Sequence, residues 1–322
     1  MSISRKQRGK KKIKNIILNL NPCYDHWIIL KTEPKIPDVI RGDEVIRLID
    51  GKGLNIARVL TSIFKNFNFK CINVLGGNVG KIINEYCKEE SFDVENFWIN
   101  GDNRINTAIV YEYKNEMMVI NEPGPLMNIE EVTGLKKFVE AKIENDTRLI
   151  ISGSAARGFT GEDLKNMVQG FRNKCILTVD IAGEWLNEIV KLNPEILKIN
   201  SDELKIAFGI ESSNFEEVYK FRNKYKIETL IITLGEKGSL TFDGNNLYKT
   251  YSKKTYSNFS VGSGDSFFAG LIDGLDEGAD IKEALKKANA SGAANSLNYG
   301  SGIFSLDEYQ KMLNETVVEE IQ

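Results

Sequence analysis

Histidine is nearly missing from this chain. His26 is the single one among 322 residues, and the four cysteines, Cys23, Cys71, Cys87 and Cys175, form no CxxC pair. A zinc centre built from Cys and His finds too few ligands here. A Ser-His-Asp or Cys-His hydrolase would have to use His26 as its base, and no GxSxG elbow accompanies it. Proline is scarce as well, 6 residues against 27 glycines, which excludes a collagen, a mucin or a long disordered scaffold. No run of about 18 apolar residues occurs, so no membrane span is predicted. Three of the four cysteines lie in or beside apolar segments, as reduced thiols of a cytoplasmic protein do.

The formal net charge is −3, from 42 cations and 45 acids. The first fourteen residues hold seven of the cations (Arg5, Lys6, Arg8, Lys10, Lys11, Lys12, Lys14) and no acid. The remainder keeps 35 cations against 45 acids, a balance of −10. An acidic body argues against a nucleic-acid-binding surface. The apolar stretch Ile16–Leu20 that follows the basic segment is too short for a signal peptide and runs into Asn21-Pro22, so residues 1–14 read as a solvated tail.

Short apolar runs then alternate with helical patterns. Ile16–Leu20, Phe69–Leu75, Leu149–Ser152, Cys175–Asp180, Ile196–Ile199 and Thr229–Leu234 read as strands buried on both faces. Leu54–Phe64, Val79–Glu90, Ile129–Ile143, Thr160–Phe171 and Phe215–Tyr225 read as helices. The alternation predicts an α/β fold with a mostly parallel sheet. Two β-rich regions, about 28–49 and 106–121, lack crossover helices and read as a small antiparallel sheet; the second is a hairpin turning at Lys114-Asn115. Beyond Gly262 the pattern is almost wholly helical, and Glu319-Glu320 reads as a solvated end.

Three segments carry polar residues where open α/β sheets bind ligands. Gly262-Ser263-Gly264-Asp265 precedes an apolar helix, and its glycines let a helix N-terminus approach a phosphate; Asp265 is equally suited to stabilise that helix as a cap. Thr233, Gly235 and Gly238 follow a strong strand, as a wall for a nucleotide or as a hairpin turn. Lys198, Asn200 and Glu203 end another strand. Asn200 and Glu203 suit a capping box, or Lys198 and Asn200 suit phosphates while Glu203 faces a hydrated Mg²⁺.

These motifs resemble the ribokinase-like sugar kinases of the phosphofructokinase B family over roughly residues 16–312, in particular its 1-phosphofructokinases and tagatose-6-phosphate kinases. The resemblance implies a three-layer α/β sandwich with a β-lid, residues 15–322 as the kinase domain, ATP and Mg²⁺ as cofactors, and a homodimer through the lid. It implies that Asp265 is the catalytic base and that Gly262, Ser263 and Gly264 form an anion hole. The family's TLNPxxD is similar to Leu18–Asp25, with Asp25 on sugar hydroxyls. GGKGxNVARxL is similar to Asp50–Leu60, with Lys52 and Asn55 on the sugar phosphate and Gly51 and Gly53 in the same substrate set. Arg41, Arg104, Asn106 and Ser154 complete the implied substrate set. Lys198, Asn200, Thr233, Gly235, Gly238 and Asn289 are the implied nucleotide set, with Glu203 toward Mg²⁺ through water. Asn121–Pro125 (NEPGP) matches a stretch of 1-phosphofructokinases.

Two departures stand out. The first glycine of GGKG is Asp50, an acid beside an anion site, and GSLPPG is Gly153–Gly158 with both prolines gone and Arg157 present. Three readings follow: a fructose-1-phosphate kinase, a tagatose-6-phosphate or fructose-6-phosphate kinase, or a sugar-phosphate-binding protein that has lost turnover.

Overall fold

The computed structural model describes residues 13–35, 39–253 and 259–321. Most of the basic tail, and positions 36–38 of the first lid segment, fall outside them. The chain opens with β1 (Asn15–Asn19), β2 (Cys23–Leu30), β3 (Glu44–Asp50), α1 (Lys52–Ser62), β4 (Phe69–Gly76) and α2 (Gly77–Glu89). Then come β5 (Val94–Ile99), β6 (Arg104–Tyr111), β7 (Glu116–Ile120), α3 (Ile129–Glu140), β8 (Thr147–Ser152) and α4 (Gly161–Gln169). Next are β9 (Cys175–Asp180), α5 (Gly183–Ile189), β10 (Ile196–Asn200), α6 (Ser201–Phe208), α7 (Phe215–Lys224) and β11 (Thr229–Thr233). The chain closes with β12 (Ser239–Asp243), β13 (Asn246–Ser252), α8 (Ser263–Asp276), α9 (Ile281–Asn295), α10 (Leu306–Glu315) and β14 (Thr316–Glu320).

Ten strands form one sheet in the order β14-β13-β12-β11-β10-β9-β8-β1-β4-β5. From β11 to β5 every neighbour is parallel; β12, β13 and β14 add antiparallel at one edge. Each central strand is apolar on both faces because each face is covered. Ile16 and Leu18 of β1 pack with α3, α4 and α5, whereas Ile17 between them packs with α1, α8 and α9. That alternation makes a three-layer sandwich. The helices on the first face start cleanly: Asn128, Thr160 and Asn200 each cap a helix whose third residue, Glu131, Asp163 or Glu203, reaches back to the cap.

The second sheet, β3-β2-β6-β7, has antiparallel outer pairs and a parallel central pair, β2 with β6. The hairpin does turn at Lys114-Asn115, with Asn115 left-handed at φ 55°. A small core of Trp27, Ile29, Leu48, Ala108, Val110 and Phe259 sits under this sheet.

One reading of the C-terminal part is extended. Glu319-Glu320 is exposed as expected, but it closes a strand over Thr316–Glu320: Tyr251 donates to Glu319 at 2.7 Å, and Glu320 pairs with Lys282 at 2.7 Å. The five residues TVVEE are too few to show a period, and their partner β13 lies more than sixty residues away in sequence. All four cysteines are buried and free. Among the described residues, no helix is long and apolar enough to cross a membrane.

Candidate active site

The carboxyl ends of β1, β8, β9, β10 and β11 face the small sheet across a cleft of about 1170 Å³. A parallel strand ending there hands its last polar side chain to the cleft. Asn19, Ser152, Asp180, Asn200 and Thr233 arrive in this way, Lys198 two residues earlier in its strand. The small sheet contributes Asp25 and Asn106, paired in register.

Asp265 lines the cleft in the first turn of α8 yet is only 6% exposed. It does not cap the helix, whose N-cap, Gly262, has φ +79° and no side-chain cap bond. Its Oδ2 instead accepts from Asn55 Nδ2 at 2.8 Å. Burial pushes its carboxyl up to about 7; Lys52 and the Asn55 bond oppose the rise, and Asp180 and Asp50 add to it. A carboxylate poised near neutrality at a helix N-terminus is suited to take a proton from a hydroxyl. The turn before it is tight because a Cβ at Gly262 would meet Ser301 at 2.6 Å. The anion-hole expectation is corrected at one amide: the Ser263 N–H is taken by Ser260 O at 3.1 Å. The Gly264 and Asp265 amides have no intrahelical partner. Asn295 secures the loop, donating to Val261 O at 2.8 Å and Ser263 Oγ at 3.3 Å.

Asp180 was not among the residues picked out from the motifs, yet it organises the cationic side of the cleft. Lys52 Nζ donates to its Oδ1 at 3.1 Å and Lys198 Nζ to its Oδ2 at 3.0 Å. Burial works to raise its carboxyl, but Lys198 and Lys52 outweigh that and hold it below the usual value. Desolvation likewise works to lower Lys52, and Asp180, Asp265 and Glu203 overcome it, so its ammonium is raised and stays charged. The signal in the sequence was a lone acid closing the apolar strand CILTVD. Arg58 was quoted only within the motif, and it ties α1 to three neighbours: Ile49 O at 2.7 Å, Ser301 O at 2.8 Å and the Glu90 carboxylate, reached from Nε and Nη2 at 2.8 Å each.

On the lid side, Asn106 Nδ2 donates to Asp25 Oδ1 at 3.0 Å, and Arg104 donates from Nε and Nη2 to Asn21 O at 3.2 and 3.1 Å. Asn21 in turn reaches Ser154 Oγ at 3.4 Å. Burial first, and the Asp50 charge second, push Asp25 up to about 7. Cys23, Asp25 and Asp50 each bring one ligand-type atom within 4.8 Å of the others. Burial also lifts the Cys23 thiol well above its usual range, so this trio is two acids and a neutral thiol.

The expected nucleotide set, Lys198, Asn200, Thr233, Gly235, Gly238 and Asn289, lines the cleft with Glu203. Asn200 and Glu203 do form the capping box, at 2.7 and 2.8 Å, so one Glu203 oxygen is committed to the helix. Asn289 Nδ2 is held by Ser252 Oγ at 3.0 Å and Thr316 Oγ1 at 3.1 Å. Gly238 is required by packing, since a Cβ there would fall 1.8 Å from Thr250 O at φ +86°.

Two expected substrate residues are not brought to the cleft. Gly53 is buried in the first turn of α1, where a Cβ would meet Asn19 Oδ1 at 1.8 Å; its role is the close approach of α1 to β1. Arg41 is exposed in the β2–β3 connection, outside the cleft lining. Gly51, with φ +121°, stays at the cleft as the N-cap of α1.

Comparison with known proteins gives the family. A tagatose-6-phosphate kinase of Staphylococcus epidermidis is 28% identical over 313 residues, covering 95% of this chain and 99% of the relative. A 1-phosphofructokinase of Borreliella burgdorferi is 27% identical over 311 residues, covering 94% and 98%. The structure of phosphofructokinase-2 from Escherichia coli in complex with substrates and products superposes with a TM-score of 0.84 at 25% identity, covering 94% of this chain and 98% of that one. The model of the pfkB family of carbohydrate kinases matches residues 19–308, and the chain belongs to that family: it is a sugar-phosphate kinase, a phosphotransferase acting on a hydroxyl group.

Proposed function

We propose that this enzyme transfers the γ-phosphoryl group of ATP to the primary hydroxyl of a ketohexose phosphate, with fructose 1-phosphate as acceptor and fructose 1,6-bisphosphate as product. The observation that carries the proposal is the place of Asp265: a buried carboxylate at the start of α8, in one cleft with Lys52, Lys198 and Arg104.

Phosphoryl transfer needs positioning and charge neutralisation more than covalent chemistry. Arg104 and Lys52 clamp the phosphate of the sugar, and Asp25 and Asn106 hold its hydroxyls. Asp265 orients the attacking hydroxyl and takes its proton. The free amides at the head of α8 face the transferring group, where one such donor is worth roughly 3 kcal/mol. Lys198, held by Asp180, lies against Gly264, with its Nζ 3.2 Å from where a Cβ would be, and meets the same developing charge. The nucleotide rests along the Thr233–Gly238 turn. Mg²⁺, when bound, neutralises phosphate charge; Glu203 fits it as a hard oxygen donor beside the two lysines and would hold it, in part through water. The lid shields the sugar from water. Its outward apolar side chains, Val45, Met118 and Ile120, are 42–53% exposed and support a homodimer through the lid.

The S. epidermidis relative favours a second reading, tagatose 6-phosphate as acceptor. ADP release measured against a panel of hexose phosphates decides. Turnover of fructose 1-phosphate alone supports the first reading, and preference for tagatose 6-phosphate or fructose 6-phosphate replaces it. No release with any of them, alongside a thermal shift by one, leaves a binding protein.

A further inference from the structure

Asp50 stands at the first glycine of the GGKG motif that the sequence resembles, and two contacts give it work. Its Oδ1 accepts from Asn55 Nδ2 at 3.1 Å and from the Gly51 N–H, at the start of α1. The same Asn55 Nδ2 donates to Asp265 Oδ2 at 2.8 Å, and Asn55 Oδ1 accepts from Arg58 Nη1 at 3.1 Å. Every polar atom of the Asn55 amide is thus engaged, and its two N–H groups point to two acids on opposite sides. Asp50 Oδ2 is buried with no hydrogen-bond partner.

We propose that Asp50 is a positioning residue for phosphoryl transfer: it fixes the Asn55 amide so that Asn55 holds Asp265 Oδ2 and leaves the other oxygen to the substrate hydroxyl. The inference rests on the reading of Asp265 as base. An amide with one N–H free can rotate or turn to water, and the carboxylate it holds then samples orientations that do not reach the hydroxyl. The Asp50 charge adds a second effect. Asp265 is faced by Lys52 and Asn55 of α1, Asp180 of β9 and Asp50 of β3, with Lys198 of β10 beside Gly264, and Asp180 and Asp50 work against its ionisation. Asp25, faced by Cys23, Asn106, Arg104 and Asp50, feels the same charge. One acid in place of glycine therefore orients the base and keeps its proton affinity high.

Asp50→Asn and Asp50→Gly separate the two effects. The amide of D50N keeps an oxygen for Asn55 and removes the charge; D50G removes both. The side-chain carboxyl of Asp265 is followed by ¹³C NMR through a pH titration of the unliganded protein, with D265N assigning the signal, and kcat is measured across the same pH range. We expect the Asp265 midpoint to fall in D50N, where the charge alone is lost, and to fall less in D50G, where the loosened Asn55 bond offsets the lost charge. We expect kcat above the midpoint to drop on the order of tenfold in D50G and less in D50N. A purely structural role lowers the melting temperature and leaves the Asp265 midpoint in place. An unmoved midpoint in D50N, or wild-type kcat in D50G, overturns the proposal. Should D50G fail to fold, the D50N midpoint decides alone. If the wild type phosphorylates no hexose phosphate, the kinase reading fails, while the titration of the unliganded protein still tests Asp50.

Discussion

Asn55 donates its amide nitrogen to Asp265 across 210 residues of chain, at 2.8 Å. The bond joins the first turn of α1 to the first turn of α8, so the two glycine-rich motifs close on one another.

Asp265→Asn keeps the shape of the site and removes the base. Turnover should fall 10²–10⁴-fold with little change in substrate binding. Steady-state kinetics alongside calorimetric binding of the sugar phosphate measure both, and near-normal kcat would refute the assignment.

The acid side of the pH profile follows from the same carboxyl, pushed up to about 7 by burial. The base works ionised, so kcat/KM should fall about tenfold per pH unit below the midpoint and level off above it. The folded state binds this proton more tightly than the unfolded chain, so the group's contribution to stability declines as pH rises from the ordinary carboxylate range through about 7. A profile flat from pH 5 to 8 would contradict the assignment.

Asp180→Ala leaves Lys198 buried and unpaired. Removing one partner of a buried pair costs about 3 kcal/mol or more, read as a loss in denaturant stability, and kcat should fall with it as both lysines lose their anchor. The lowered carboxyl of Asp180 acts on stability in the opposite sense to Asp265. Its contribution is present above the ordinary carboxylate range and is lost as pH falls below it. A variant as stable as the wild type would remove Asp180 from the centre of the site.

Gly53→Ala tests packing, not binding. The added Cβ would fall 1.8 Å from Asn19 Oδ1, forcing α1 away from β1. A loss of roughly 1–3 kcal/mol is expected, measured by thermal and denaturant unfolding.

Arg104→Ala should raise KM for the sugar phosphate on the order of tenfold or more while affecting kcat less, because a clamp on the remote phosphate acts in ground and transition states alike. A kcat effect with unchanged KM would place Arg104 in the transfer step instead.

The strands buried on both faces were legible because continuous apolar runs such as TLIIT and CILTVD have one economical fate, a sheet covered by helices on each side. The chemistry-bearing motifs were legible through their combined resemblance to a family, since glycines beside an acid at a helix start suit a cap equally well. Other features were silent for a definite reason. Asp180 is one acid in a strand, and nothing local says that lysines 128 residues before it and 18 after it both reach its oxygens. The strand at 316–320 has too few residues to declare a period, and its edge exists only once β13 is there to pair. Gly53 read as a contact of the sugar because its neighbours were, and only the nearness of Asn19 shows that it serves the helix.

What the sequence determined by itself is therefore the layer order, the family and the residue proposed as base, since each depends on local pattern or on residue types close together in the chain. The tertiary structure alone decided the partners: Asp180 between two lysines, Asn55 between two acids, Arg41 outside the cleft. The physical reason is that a charge or an amide acts through whatever lies within hydrogen-bond reach, and that distance is set by how far-apart segments pack, not by their order along the chain.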